Sequence, residues 1–283
     1  MRLTTKELWD SRHEISARFT GMDKQAREGW IRKIVDNARR RQGAEFGQSY
    51  GSFAFHRLLK THLPIRSDWS AIEIGSAPGG NLVALHRDFG YQPYGVEYSH
   101  TGVLLTQETF RKHGFDPANV IEADLFDQVF QSRFQKRFDI VFSLGFIEHF
   151  DPPDKVVALH VNLLRPGGYL VCQIPNMRGA FYPFLWLFAR DHLKLHNCTI
   201  MRKAPFRRVF EPFGLDVNFC GYVGALQFHG SPLRHERSLR GYAAGVLDRL
   251  QDILDHCMFM FYRGHFPSSR LSASLAFIGQ RVS

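Results

Sequence analysis

Three acidic residues end short apolar runs in this chain, and their positions could define a ligand site. Glu73 closes Ala71-Ile72-Glu73-Ile74 and is followed at once by Gly75-Ser76-Ala77-Pro78-Gly79-Gly80. Small residues let a ligand approach the backbone, and the free N–H groups of the helix that follows face it. Glu97 closes Gly95-Val96-Glu97 at a distance that suits a ribose contact, and Asp124 follows Val120 to Ala123. Gly75-x-Ala77-x-x-Gly80 can be laid onto a dinucleotide fingerprint, but a carboxylate at Glu73 would repel a pyrophosphate. It suits a cationic ligand.

The elements that must position these residues alternate. Strands are expected at Ala71 to Gly75, Pro93 to Glu97, Val120 to Ala123, Phe138 to Leu144 and Tyr169 to Ile174. Helices are expected at 82–89, 101–113, 126–134 and 153–164. Short apolar strands alternating with helices imply a parallel sheet covered on both faces, with ligands beyond the strands' carboxyl ends. Leu164-Arg165-Pro166-Gly167-Gly168 reads as a tight turn into the fifth strand. Further along, Asn176 to Leu195 is aromatic and helix-like, and Ala204 to Phe213 reads as one helix. Strands at Leu215 to Val223 and Leu271 to Val282 flank a long amphipathic helix, Arg237 to Tyr262. Residues 1–62 form a helical extension or lid, with a helix at Tyr50 to His62. Residues 63–283 form an α/β, doubly wound, mostly parallel seven-stranded domain with insertions near 177–213 and 229–268.

In order and spacing these features resemble the class I S-adenosylmethionine-dependent methyltransferases, closest in pattern to members acting on small molecules. Glu73-Ile74-Gly75-Ser76-Ala77-Pro78-Gly79 is similar to the family's acidic-x-Gly-x-Gly-x-Gly motif, with alanine for the central glycine. Glu97 matches the acidic end of the second strand, and Ala123-Asp124-Leu125 the third motif. Asp139 to Leu144 matches the fourth motif, and Pro166-Gly167-Gly168 the turn before the fifth strand. The resemblance implies S-adenosylmethionine as cofactor. It places Glu73, Gly75, Ser76, Ala77, Gly79, Glu97, Tyr98, Asp124, Leu125 and Ser143 at its site. Glu97 would accept from the ribose hydroxyls and Asp124 from the adenine amino group, between walls of Tyr98 and Leu125. Glu73 would organise the glycine turn or reach the ammonium through a water.

A hydroxyl acceptor also needs its proton removed, which a histidine of near-neutral pKa can do. His149, in Ile147-Glu148-His149-Phe150 after the fourth strand, is the expected base. Gly145-Phe146-Ile147-Glu148-His149 resembles the Glu-x-x-Glu-His element of metal-assisted subgroups, but Gly145 replaces the first glutamate, so no catalytic metal is expected. His192 and His196 stand four apart, and a zinc reading lacks an evident third ligand. Glu148, Phe181, Tyr182 and His196 are candidates for the acceptor side. Trp9-Asp10-Ser11-Arg12 resembles a Trp-Asp-x-Arg element that precedes the core in small-molecule methyltransferases.

The expected acceptor is a small molecule, methylated at oxygen. The net charge of +9 and the Arg39-Arg40-Arg41, Arg202-Lys203 and Arg207-Arg208 clusters keep an RNA acceptor open as an alternative. A DNA acceptor is not expected, because no Asn-Pro-Pro-Tyr or Asp-Pro-Pro-Tyr follows the fourth strand. Phe181 to Phe188 and Met258 to Tyr262 leave a peripheral membrane contact open. Four widely spaced cysteines indicate neither a disulfide framework nor a cysteine zinc site. With no apolar signal core after Met1, a cytoplasmic setting is expected. Oligomeric state is not legible.

Overall fold

The computed structural model describes residues 1–20, 49–180, 182–225, 238–261 and 267–282. Several sequence features lie outside those residues: most of the 1–62 extension before Tyr50, the Arg39 to Arg41 cluster, Phe181 and parts of the 229–268 insertion.

Seven strands form one sheet: β1 (Ser70–Ile74), β2 (Gln92–Glu97), β3 (Val120–Glu122), β4 (Phe138–Leu144), β5 (Leu164–Pro175), β6 (Leu215–Val223) and β7 (Ser274–Arg281). Their order is β3-β2-β1-β4-β5-β7-β6. The first five are parallel, and β7 runs antiparallel between β5 and β6. Among the described residues the α-helices are α1 (Lys6–Thr20), α2 (Tyr50–His62), α3 (Gly80–Phe89), α4 (His100–Lys112), α5 (Gln128–Arg133), α6 (Asp154–Leu163), α7 (Tyr182–Phe188), α8 (Arg190–Lys194), α9 (Lys203–Arg208) and α10 (Leu239–Phe261).

The period-two alternation of the strands splits the core in two. Ile72 and Ile74 of β1 join Val141 of β4 and Val156 and Val157 of α6 on one face. Ala71, Ile140 and Phe142 join Leu82, Phe89, Phe110, Phe55 and Leu59 on the other. Both faces are therefore dry, as a parallel sheet requires. Helix α2 belongs to the second layer through Phe55 and Leu59. Ser49 and Ser99 cap α2 and α4 by accepting from the N–H groups of Ser52 and Gly102.

From β1 the chain steps outward to β2 and β3, then crosses back to β4 on β1's other side. That reversal opens a crevice beyond the carboxyl ends of β1 and β4.

Two local expectations are corrected. Pro166-Gly167-Gly168 lies within β5 as an irregularity, where pairing jumps from Phe138–Leu164 to Ile140–Tyr169. A side chain at Gly168 would sit 2.7 Å from the Asp139 carbonyl, so glycine permits that close pairing. The stretch from Ala204 to Phe213 is α9 and then a separate 3-10 turn at Glu211–Phe213, because Pro212 cannot donate to a continuing helix.

Candidate active site

The crevice holds an open pocket of about 750 Å³, its mouth included. Its floor is Gly75, Ala77 and Glu97, its far wall Tyr98, Asp124 and Leu125, and its near end His149. Gly75 has a φ of 73°, and a side chain there would press on Phe146 at 3.1 Å. Glu97 is buried and accepts from the Ser99 N–H at 2.9 Å, with backbone support from Ala77 and Tyr98. Burial raises its pKa, and these donors oppose the rise. Gly102 gives this carboxylate room: a side chain there would lie 2.8 Å from Glu97 Cγ and 3.1 Å from Ala77 Cβ. Gly102 escaped the sequence reading, because a glycine in a helix's first turn carries no motif of its own.

Residues 1–14 cover the pocket. Arg2 binds Asp124 through both carboxylate oxygens, at 2.6 and 2.8 Å. Leu3 N–H donates to the His149 carbonyl at 2.8 Å, and Tyr98 Oη donates to the Thr5 carbonyl at 3.1 Å. The Trp9 ring stands edge-on to His149 at 5.3 Å, and Asp10 accepts from Ser99 Oγ. The Trp9-Asp10-x-Arg12 element thus spans the two ends of the pocket, while Arg2, Thr4 and His13 add lining that no sequence signal marked.

Glu73 lies off this pocket, toward a second one. Its Oε1 accepts from Asn81 Nδ2 at 2.7 Å, and its buried Oε2 has no partner. Burial, opposed by Asn81 and helped by the Glu97 charge, pushes its pKa up to about 8. Asn81 opens into a polar cavity of about 550 Å³, mouth included, which also takes in Ser49 and Ser52 at the start of α2 and Leu144 at the end of β4. Leu144 lines both cavities.

Other expected residues sit elsewhere. Ser76 and Gly79 shape the turn: Ser76 Oγ is buried against Gly95, and Gly79 has a φ of 89° against Thr106. Ser143 does not reach the pocket. Its hydroxyl lies 3.0 Å from His160 Nε2 and 3.7 Å from Cys172 Sγ, because that register of β4 points into the layer under α6. Tyr182 is exposed at the start of α7, away from both cavities.

Glu148, His149 and His196 converge although 47 residues separate the last two, which corrects the expectation that His196 has no third ligand near it. One donor atom of each lies within 4.8 Å of the others, and all three side chains are buried. The backbone joins the segments, with Asn197 N–H donating to the Glu148 carbonyl at 2.6 Å. His149 Nδ1 lies 2.7 Å from the Leu195 carbonyl. Burial and the neighbouring His196 push the His149 pKa down to about 3, against the pull of Leu195. The Leu195 carbonyl only accepts, so Nδ1 carries the proton and Nε2 is the atom with which His149 would accept one.

Sheet order and crevice together place the chain in the doubly wound class, with its pocket where such folds bind ligands. The profile of a family described as methyltransferase domain matches residues 22–218. A type II methyltransferase, M.BglI, of Bacillus subtilis is 31% identical over 87 residues, which is 31% of this chain and 24% of that protein. The chain thus matches about a quarter of that relative's length. A geranyl diphosphate methyltransferase solved with S-adenosylmethionine shares the fold at a TM-score of 0.55 and 16% identity, over 92% of this chain and 93% of its own. A Haloferax volcanii methyltransferase in complex with the Trm112 activator does so at 0.52 and 14%, over 91% and 100%. The chain belongs to the methyltransferase-domain family and shares its fold with a methyltransferase solved with S-adenosylmethionine.

The residues present fit that cofactor. Gly75 and Gly102 leave a cradle that side chains would fill, Glu97 presents a buried carboxylate to it, and the orphaned Glu73 Oε2 suits a cationic group.

Proposed function

We propose that the enzyme methylates a small-molecule acceptor at oxygen. The observation that carries this reading is the roof over the His149 end of the pocket. Leu3 donates to the His149 carbonyl and Trp9 leans on the imidazole, while Phe146 and Phe150 complete the wall. An acceptor at that end lies beneath the chain's own residues, which favours a compact molecule and excludes water.

When bound, S-adenosylmethionine supplies a methyl group on a sulfonium, which leaves as a neutral thioether. The protein's work is then binding, alignment and exclusion of water. Glu97 would accept from the ribose hydroxyls, and Asp124 would meet the adenine amino group between Tyr98 and Leu125. Leu144, shared by both cavities, supports a ligand that extends from that wall to Glu73 and Asn81. There Glu73 would face the ammonium, and the first turn of α2, capped by Ser49, would face the carboxylate.

A geranyl diphosphate methyltransferase among the structural relatives is consistent with a small acceptor. The net charge of +9 favours RNA as the second reading, and the Trm112 complex among the structural relatives is consistent with a protein partner. No helix among the described residues is long and apolar enough to cross a membrane. Exposed Trp186 and Leu187 on α7 remain compatible with a peripheral contact. Incubation with methyl-labelled cofactor and separate pools of metabolites, RNA and liposomes distinguishes the readings. Label in the low-molecular-weight fraction, stable to base as an ether, supports the proposal. Label confined to RNA, with affinity falling steeply as salt rises, overturns it.

A further inference from the structure

We propose that Glu148, His149 and His196 form a binding site for a single first-row divalent cation, beside the acceptor end of the pocket. The three side chains are 1%, 4% and 8% exposed, and a donor atom of each lies within 4.8 Å of the other two. Two imidazoles and one carboxylate are the donor set of three-coordinate protein sites for zinc, iron(II) and similar ions that keep an open position for water or substrate.

Two independent observations point to a cation rather than to a packed polar cluster. First, both carboxylate oxygens of Glu148 are buried, and no residue other than Glu148's own backbone N–H offers them a hydrogen bond. A buried carboxyl group in either protonation state is costly without a donor or acceptor beside it, and a cation satisfies both oxygens. Second, the two histidines are oriented from behind. His149 Nδ1 lies 2.7 Å from the Leu195 carbonyl, and His196 Nδ1 lies 2.7 Å from the His192 carbonyl. A carbonyl oxygen only accepts, so each Nδ1 carries the proton and each Nε2 carries the lone pair. Backbone carbonyls holding the far N–H of each imidazole are the usual outer shell of metal-ligating histidines. Donor atoms sharing one ion at ~2.1 Å sit about 3–4 Å apart, so binding draws the three side chains slightly inward.

Of the three, His149 also lines the open pocket, so an ion held there would lie beside the acceptor end. An ion there would make a hydroxyl oxygen bound to it more acidic, the proton leaving to solvent through the pocket mouth as the acceptor enters, with no electron transferred. That role rests on the oxygen-acceptor reading above; the cation site itself does not.

The test begins with the metal content of the protein as purified, and continues after chelator dialysis by titration with Co²⁺ and Zn²⁺. About one ion per chain is expected, with a Co²⁺ visible spectrum of low coordination number. X-ray absorption on the Zn²⁺-loaded wild type should count two imidazoles and one carboxylate. Glu148→Gln and His196→Ala should each weaken Co²⁺ binding by about 100-fold or more, while the dissociation constant for S-adenosylhomocysteine moves less than about threefold. Wild-type protein that binds well under one ion, or that binds no more tightly than the variants, overturns the proposal. Should the variants fail to fold, the imidazole count on the wild type decides alone, and fewer than two imidazoles overturns it. Loss of S-adenosylhomocysteine binding by the wild type would count against the function above and leave the cation site standing.

Discussion

Arg2 holds both carboxylate oxygens of Asp124 at the pocket wall where an adenine amino group would seek its acceptor. The same guanidinium lies 5.0 Å above the Tyr98 ring and 5.4 Å from that of Phe126. One side chain therefore ties the first residues of the chain to three groups around the nucleotide end. Asp124 retains further acceptor capacity, since each carboxylate oxygen has two lone-pair directions.

Arg2→Ala should untie this strap. A part-exposed ion pair is worth up to about 1 kcal/mol, so dissociation of S-adenosylhomocysteine should quicken by about two- to fivefold. Stopped-flow displacement measures it. An unchanged rate would show that residues 1–5 do not gate the pocket.

Glu97 and Gly102 form the second relationship with a direct readout. A hydrogen bond to a charged group contributes about 1.5–3 kcal/mol, so Glu97→Ala should raise the dissociation constant for S-adenosylhomocysteine by at least about tenfold. Gly102→Ala should weaken binding too, because its new carbon would meet Glu97 Cγ at 2.8 Å. Calorimetry reads both effects. Undiminished binding by Glu97→Ala would remove the ribose assignment.

Glu73 sets a pH dependence in the protein without cofactor. Burial raises its pKa from 4.5 to about 8, so between those values the folded chain holds a proton that the unfolded chain has lost. Stability from this group is full below about pH 4.5 and falls as pH rises toward 8. Glu73→Gln should flatten that slope and stabilise the free protein at pH 8 by at least about 1 kcal/mol. It should also weaken cofactor binding, since a carboxamide cannot answer an ammonium. Denaturant melts at pH 5 and pH 8 check the first claim; equal slopes in variant and wild type would contradict it.

His160 works in the opposite direction. It is fully buried beneath β4, with Nδ1 2.7 Å from the Val156 carbonyl and Nε2 3.0 Å from Ser143 Oγ. Burial lowers its pKa from 6.5 to about 4. The neutral ring is favoured in the folded state, so stability is lost as pH falls from 6.5 toward 4, where only the unfolded chain takes up the proton. His160→Gln should reduce the slope of stability against pH in that window by up to one proton. Thermal melts from pH 4 to pH 7 measure it, and a slope identical to the wild type would rule the assignment out.

Much of this architecture was legible because it is local. Phe138 to Leu144 is a strand-forming apolar run covered on both faces, and the expected and observed ranges for β4 and β6 coincide. Turn chemistry was legible for the same reason, since Gly79 and Gly90 adopt positive φ where α3 begins and ends. Less was legible where two segments compete for one space. Ser143 follows a strand pattern that does not say which face reaches the ligand, and its register turned it toward His160. Pro166 to Gly168 carries the residues of a turn, but pairing with β4 absorbed them into β5.

The sequence alone determined the family and its fold. An acidic residue, a glycine turn and two further carboxylates at strand ends are short-range features, and strand periodicity carries them to one edge of the sheet. Tertiary structure alone decided who meets whom around that edge. Arg2 reached Asp124 across 122 positions, and His196 came to stand beside Glu148 and His149 because Asn197 hydrogen-bonds the Glu148 backbone. Such meetings depend on how the first residues and the segment after β5 close over the crevice, and no spacing along the chain encodes a distance across it.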